Sequence, residues 1–188
     1  MTLIELLWTL GILAFVMSAI IGVFVSGLHA EVDMNQRFQA QQEARLALQT
    51  IRTDIRTACS ATVSSKAIAN DTVQLGFCSN STTTWSSTPL SYSTWCARSE
   101  GGTPVHYGLY RESGATGDPN CATGTTGIRE ADWLTTDITT LPVFTPVIVS
   151  GQRPELTVRV PVDANPAKAG GVYKLSDTIL LRNAAVSP

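Results

Sequence analysis

Glu5 is the residue whose type and position most demand chemistry. It stands near the start of a segment that runs apolar to Leu28, and the next Asp, Glu, Lys or Arg is Glu31. An ionised carboxylate is costly in hydrocarbon unless something pairs with it. The one cationic group that the segment itself offers is the terminal amine of Met1. On a helix rising about 1.5 Å per residue, the two lie roughly 6 Å apart along the axis. The pair can form inside one chain or reach a neighbouring chain displaced along that axis. The second arrangement is favoured, and it makes Glu5 a register pin between subunits.

Other reactive constellations are thin. His29 and His106 are the only histidines, and no Gly-x-Ser-x-Gly, His-Glu-x-x-His or phosphate-binding loop occurs. Enzymatic activity is not expected, nor is a cofactor. Asp118 among Gly114, Gly117 and Pro119 lacks the clustered oxygens of a calcium loop, so no metal site is expected. Cys59, Cys78, Cys96 and Cys121 contain no Cys-x-x-Cys pair, which argues against zinc and for disulfides in an exported domain. Three connectivities are possible. Cys59–Cys78 with Cys96–Cys121 is preferred because each bridge closes a local loop. Asn70-Asp71-Thr72 and Asn80-Ser81-Thr82 match the N-glycosylation pattern, which makes Asn70 and Asn80 candidate glycan sites. Of the four tryptophans, Trp8 is expected to pack against helices or lipid. Trp95 and Trp133 are expected in the core, and Trp85 in an exposed polar loop.

The elements that position these residues follow from patterning. The apolar run from Leu6 to Leu28 covers 23 residues, and about 20 cross a bilayer as a helix. A signal peptide has a shorter apolar core behind a basic flank. Gly11, Ala14, Ser18 and Gly22 give a small-residue spacing that lets helices approach closely. No proline precedes Pro89, so one helix is expected from Met1 to about Ala58, roughly 87 Å long. Beyond the apolar run, Ala44, Leu48, Ile51, Ile55 and Ala58 form one stripe made for a core. Arg45, Arg52, Asp54 and Arg56 mostly fall off it.

After Cys59 the period changes to two. Strands are expected at Val73–Phe77, Leu90–Trp95 and Val105–Tyr110, and an antiparallel hairpin joins Leu156–Val162 to Val172–Leu181. Pro161 points to an edge strand or a strand end. The expected fold is α+β: a long N-terminal helix with a protruding hydrophobic half, packed against a mainly antiparallel sheet. The expected organisation is a hydrophobic helix at 1–28, its amphipathic continuation at 29–58 and a β-rich head at 59–188. Net charge is -2 and charged residues make up 15%, against about 25% in ordinary domains. Nothing in that balance suggests nucleic-acid binding.

Met1-Thr2-Leu3-Ile4-Glu5-Leu6-Leu7, with the apolar run behind it, resembles the start of mature type IV pilins and of type II secretion pseudopilins. That family usually carries Phe in the place of Met1, a departure seen also in W-type minor pilins. Gln41 to Ala58 and Lys174 to Asn183 resemble the corresponding stretches of W-type minor pilins and J-type pseudopilins. The resemblance implies a pilin-like fold, removal of a leader and N-methylation at Met1. It implies helix loosening near Gly22, where pilins commonly carry Pro. It implies a prepilin peptidase, a platform protein and an assembly ATPase as partners. The expected function is a structural subunit of an extracellular filament. The subunit is held first in the cytoplasmic membrane and then polymerised with itself through the N-terminal helix. The alternatives are a minor pilin or pseudopilin that primes such a filament, and a membrane-anchored adhesin that does not polymerise.

Overall fold

The computed structural model describes residues 2–66, 70–78, 88–101, 105–114, 127–135, 142–164 and 172–184. Among these, the order is one helix followed by eight strands: α1 (Leu3–Thr57), β1 (Ser60–Lys66), β2 (Asn70–Phe77), β3 (Ser91–Gly101), β4 (His106–Gly114), β5 (Ile128–Leu134), β6 (Phe144–Val147), β7 (Glu155–Val162) and β8 (Tyr173–Leu180). The class is α+β, as the patterning indicated.

The chain divides into two compact units, residues 1–38 and 39–188. Within the first, α1 is apolar on all sides from Leu6 to Leu28, and beyond that run Asp33 pairs with Arg37 one turn on, at 3.5 Å. Within the second, the remainder of α1 lies against one antiparallel sheet. Ala40, Ala44, Ala47, Leu48, Ile51 and Ile55 are buried. Their spacing of three and four places them on one face. That face meets Val73, Leu75, Trp95, Leu109, Phe144, Leu156, Val158 and Val160 in a single core.

α1 stops at Thr57 because the chain is taken over by the sheet. The Cys59 N–H donates to the Gly76 carbonyl at 2.9 Å, and Ser60 starts the β1 ladder opposite Gly76. Asn183 Nδ2 donates to the Thr57 carbonyl at 3.0 Å and satisfies one group at the open helix end.

The strand order is β1-β2-β3-β4-β5-β7-β6, with β8 on the other side of β7. Strands β7 and β8 form the expected hairpin, in register from Glu155↔Leu180 to Val162↔Tyr173. Strand β7 has neighbours on both sides, so Pro161 is not on an edge strand. It sits next to the strand's last residue, beyond the β6 pairs and just before the one β5 pair at Leu134↔Val162. There the missing N–H removes no bond that the ladder needs. Strands β1, β5 and β6 were not expected from the sequence. β1 is Ser- and Thr-rich, β5 interrupts its apolar residues with Arg129, Glu130 and Asp132, and β6 is only 4 residues long.

Candidate assembly site

The first turn of a helix leaves its N–H groups without internal partners. Here the Thr2 carbonyl accepts from the Glu5 N–H at 3.0 Å and the Leu6 N–H at 3.3 Å. In return, the Thr2 N–H donates to Glu5 Oε2 at 3.3 Å. Thr2 is therefore the N-cap and Glu5 the third helical residue, the reciprocal arm of a Thr-x-x-Glu capping box. Glu5 thus has a neutral partner within its own first turn, a backbone N–H that the charge patterning did not single out. The sequence signal was the Thr-x-x-Glu spacing itself. Met1 lies outside the described residues.

Glu5 is exposed, and so is everything around it. Every large apolar side chain from Leu3 to Leu28 keeps between 44% and 82% of its surface uncovered. Ile4, Leu7, Trp8, Ile12 and Phe15 rim a shallow notch over Gly11, all on one helix face. A Cβ placed on Gly11, Gly22 or Gly27 would meet nothing within 4 Å. Each glycine weakens a helix interior by about 1 kcal/mol relative to alanine. Among the described residues, no close contact offsets that. α1 runs unbroken through Gly22.

The other end of α1 is fixed to the sheet by a polar clamp. Asp54 is buried, although its position off the apolar stripe indicated otherwise. Its Oδ2 accepts from Trp95 Nε1 at 3.0 Å, Ser93 Oγ at 3.3 Å and Arg111 Nε at 3.0 Å. Its Oδ1 accepts from the Arg111 Nη2 at 3.1 Å. Arg111 also approaches Glu130 at 4.0 Å. Burial of the carboxylate is tolerated because a bidentate guanidinium and two neutral donors replace its water. Arg52 reaches Asp177 on β8 at 2.7 Å, and Arg45 donates to the Tyr173 hydroxyl at 2.8 Å. These contacts join the amphipathic part of α1 to the closing strand β8.

Cys59 and Cys78 form a disulfide across 19 residues, with Cα atoms 5.9 Å apart. It ties the helix exit to the end of β2. Cys96 is buried and is not a free thiol; its expected partner, Cys121, lies outside the described residues. Asn70 opens β2, and Asn80 lies outside the described residues, as does Trp85.

Trp95 is fully buried, as expected, but Trp133 is not. It lies in β5 with φ 61° and 36% of its surface exposed. The register against β4 slips between Tyr107 and Leu109, so β5 carries an extra residue there. This bulge turns the indole out of the core. Its ring stacks on His106, with centroids 4.5 Å apart and planes 19° from parallel. Alternating hydrophobicity alone does not reveal a bulge, so nothing in the residue pattern signalled it.

No protein-family model, curated protein or solved structure matches the chain. The class that the fold defines is an α+β protein with one N-terminal helix long and apolar enough to cross a membrane. That combination is compatible with a pilin-like architecture.

Proposed function

We propose that the chain is a subunit of a type IV pilus-like extracellular filament, held in the cytoplasmic membrane before assembly and polymerised through the first half of α1. The observation that carries this reading is an uncovered apolar helix, interrupted by glycines that no internal contact requires, with one carboxylate at its head. Half-burying each large side chain of that segment contributes about 1 kcal/mol, which sums to roughly 15–20 kcal/mol before ordering costs. Lipid covers this surface in the membrane, and neighbouring copies cover it in the filament. Identical chains stacked head to tail make a contact that does not close, so the assembly grows as a helix. In that setting Glu5 accepts from the terminal amine of the adjacent copy in addition to its own Thr2 N–H. The notch over Gly11 receives a neighbouring helix.

A second reading is a minor pilin or pseudopilin that primes or tips such a filament. It is favoured by the pairing of the helix segment around Arg52 with the closing strand around Asp177. Both readings predict that Glu5→Leu leaves an inserted, folded subunit that does not enter filaments. Electron microscopy of sheared filaments, with mass spectrometry of their main band, tests assembly and separates major from minor. Normal incorporation of Glu5→Leu would remove the register role. A protein that stays a dispersed monomer, with an unmethylated N-terminus, would instead indicate a membrane-anchored adhesin.

A further inference from the structure

Trp133 is a large aromatic residue in a backbone conformation that bulky side chains avoid. The bulge that holds it is built with care. The Trp133 N–H donates to Asp132 Oδ1 at 2.7 Å, and its carbonyl accepts from the Asp163 N–H at 2.9 Å. A bulge of this kind is ordinarily served by glycine. The indole lies outside the central core cluster, with 36% of its surface open and one face stacked on His106. Around it the polar groups are prearranged. Arg129 Nη1 holds Asp132 Oδ2 at 3.0 Å, and His106 Nε2 lies 3.7 Å from Asp132 Oδ1. Arg129 is the most open of the set, with 53% of its side chain exposed.

We propose that this cluster is a binding site for a β-linked, equatorially substituted saccharide chain. Such pyranoses have one flat face of C–H bonds, which stacks on an indole, and hydroxyls at the ring edge, which need both donors and acceptors. Trp133 supplies the platform, and His106 fixes its tilt from behind. Arg129, the open member of the cluster, donates to the ligand hydroxyls, while Asp132, only 15% exposed and already bonded to the Trp133 N–H and to Arg129, holds Arg129 and the bulge in place. The cluster carries one carboxylate to offset its guanidinium, which suits a neutral ligand better than a polyanion. The inference concerns the single chain and does not rest on polymerisation, although a filament would repeat the site and raise its avidity.

The test uses the full chain in lipid nanodiscs, which avoids glycoside detergents, with its tryptophan indoles labelled by 15N. Chitohexaose and cellohexaose are the probes. The expected result is a shift confined to one indole resonance, identified as Trp133 by its loss in Trp133→Gly. Trp133→Gly suits the left-handed backbone but gives up a largely covered ring, so its unfolding temperature is recorded beside its binding and a moderate drop is expected. It should weaken binding by about tenfold or more, the size of losing one stacked ring. Trp133→Tyr should restore most of it, and Arg129→Gln should weaken it severalfold with no change in folding. The proposal is overturned if neither saccharide moves the Trp133 signal. It is also overturned if Trp133→Gly binds like the parent, or if a thymidine oligonucleotide binds the same resonance more tightly than either saccharide. Should Trp133→Gly fail to fold, Trp133→Tyr identifies the resonance by its loss, and the titrations of the parent chain and of Arg129→Gln decide the matter.

Discussion

Replacing Asp54 with alanine removes the acceptor on which Ser93, Trp95 and both arms of Arg111 converge. Two costs follow. The indole N–H of Trp95 is left inside the core with no exposed surface, a loss of about 1–3 kcal/mol. The guanidinium of Arg111 loses its bidentate partner, but it keeps 30% of its side chain exposed and has Glu130 at 4.0 Å. Its penalty is therefore nearer that of a partly screened pair, about 1–2 kcal/mol, than that of a fully buried one. The sum is about 3 kcal/mol, which for a chain of this size lowers Tm by roughly 6–12 °C. Asp54→Asn keeps one acceptor oxygen for the indole and should cost about half as much. Thermal unfolding of the full chain in nanodiscs, followed by near-ultraviolet circular dichroism, reads these differences. A double-mutant cycle with Arg111→Met isolates the pair, and a coupling of about 1.5 kcal/mol is expected. A loss below about 1 kcal/mol for Asp54→Ala, or no measurable coupling to Arg111, would refute the clamp.

The remaining predictions concern the two ends of α1 and the strand beside it. Thr2→Ala with Glu5 retained should leave membrane insertion unchanged, because the capping bond to Glu5 uses the Thr2 backbone N–H, whereas Glu5→Leu should abolish filament entry; immunoblotting of membrane and sheared fractions separates the two. Removing the Cys59–Cys78 bridge by a double alanine substitution should cost about 3 kcal/mol through the freed 19-residue loop, measured as a lower denaturation midpoint. Gly76→Ala places a methyl group within 2.6 Å of Pro89 Cγ and against Ser60 Oγ, so it should destabilise by about 1–3 kcal/mol in the same assay. Arg52→Ala breaks a half-exposed pair with Asp177 and should change stability by less than about 1 kcal/mol.

The helix was legible in the residues themselves because its signals are local. A long apolar run without proline and a stripe at spacings of three and four fix both halves of α1. Alternation indicates β2 and β7 and, loosely, β3, while a turn signal marks the start of β4 and a returning apolar run marks β8. The Cys59–Cys78 bridge is the one preferred among three connectivities because it closes a local loop, and the structure holds it. The polar clamp was less visible. Asp54 lies off the stripe, and its partners come from strands 39 to 57 residues away, a distance over which periodicity carries no information.

What the chain's order of residues determined is therefore where apolar surface accumulates: a helix that is uncovered at one end and stripe-faced at the other. What only the tertiary structure decided is where the exceptions go. A carboxylate on the polar side of a stripe became a buried anchor because Arg111 and Trp95 met it from β4 and β3. A tryptophan with the composition of a core residue was turned outward because one extra residue in β5 shifted the register against β4. In a strand the side chains alternate with a period of two, so a single inserted residue reverses which face a ring occupies.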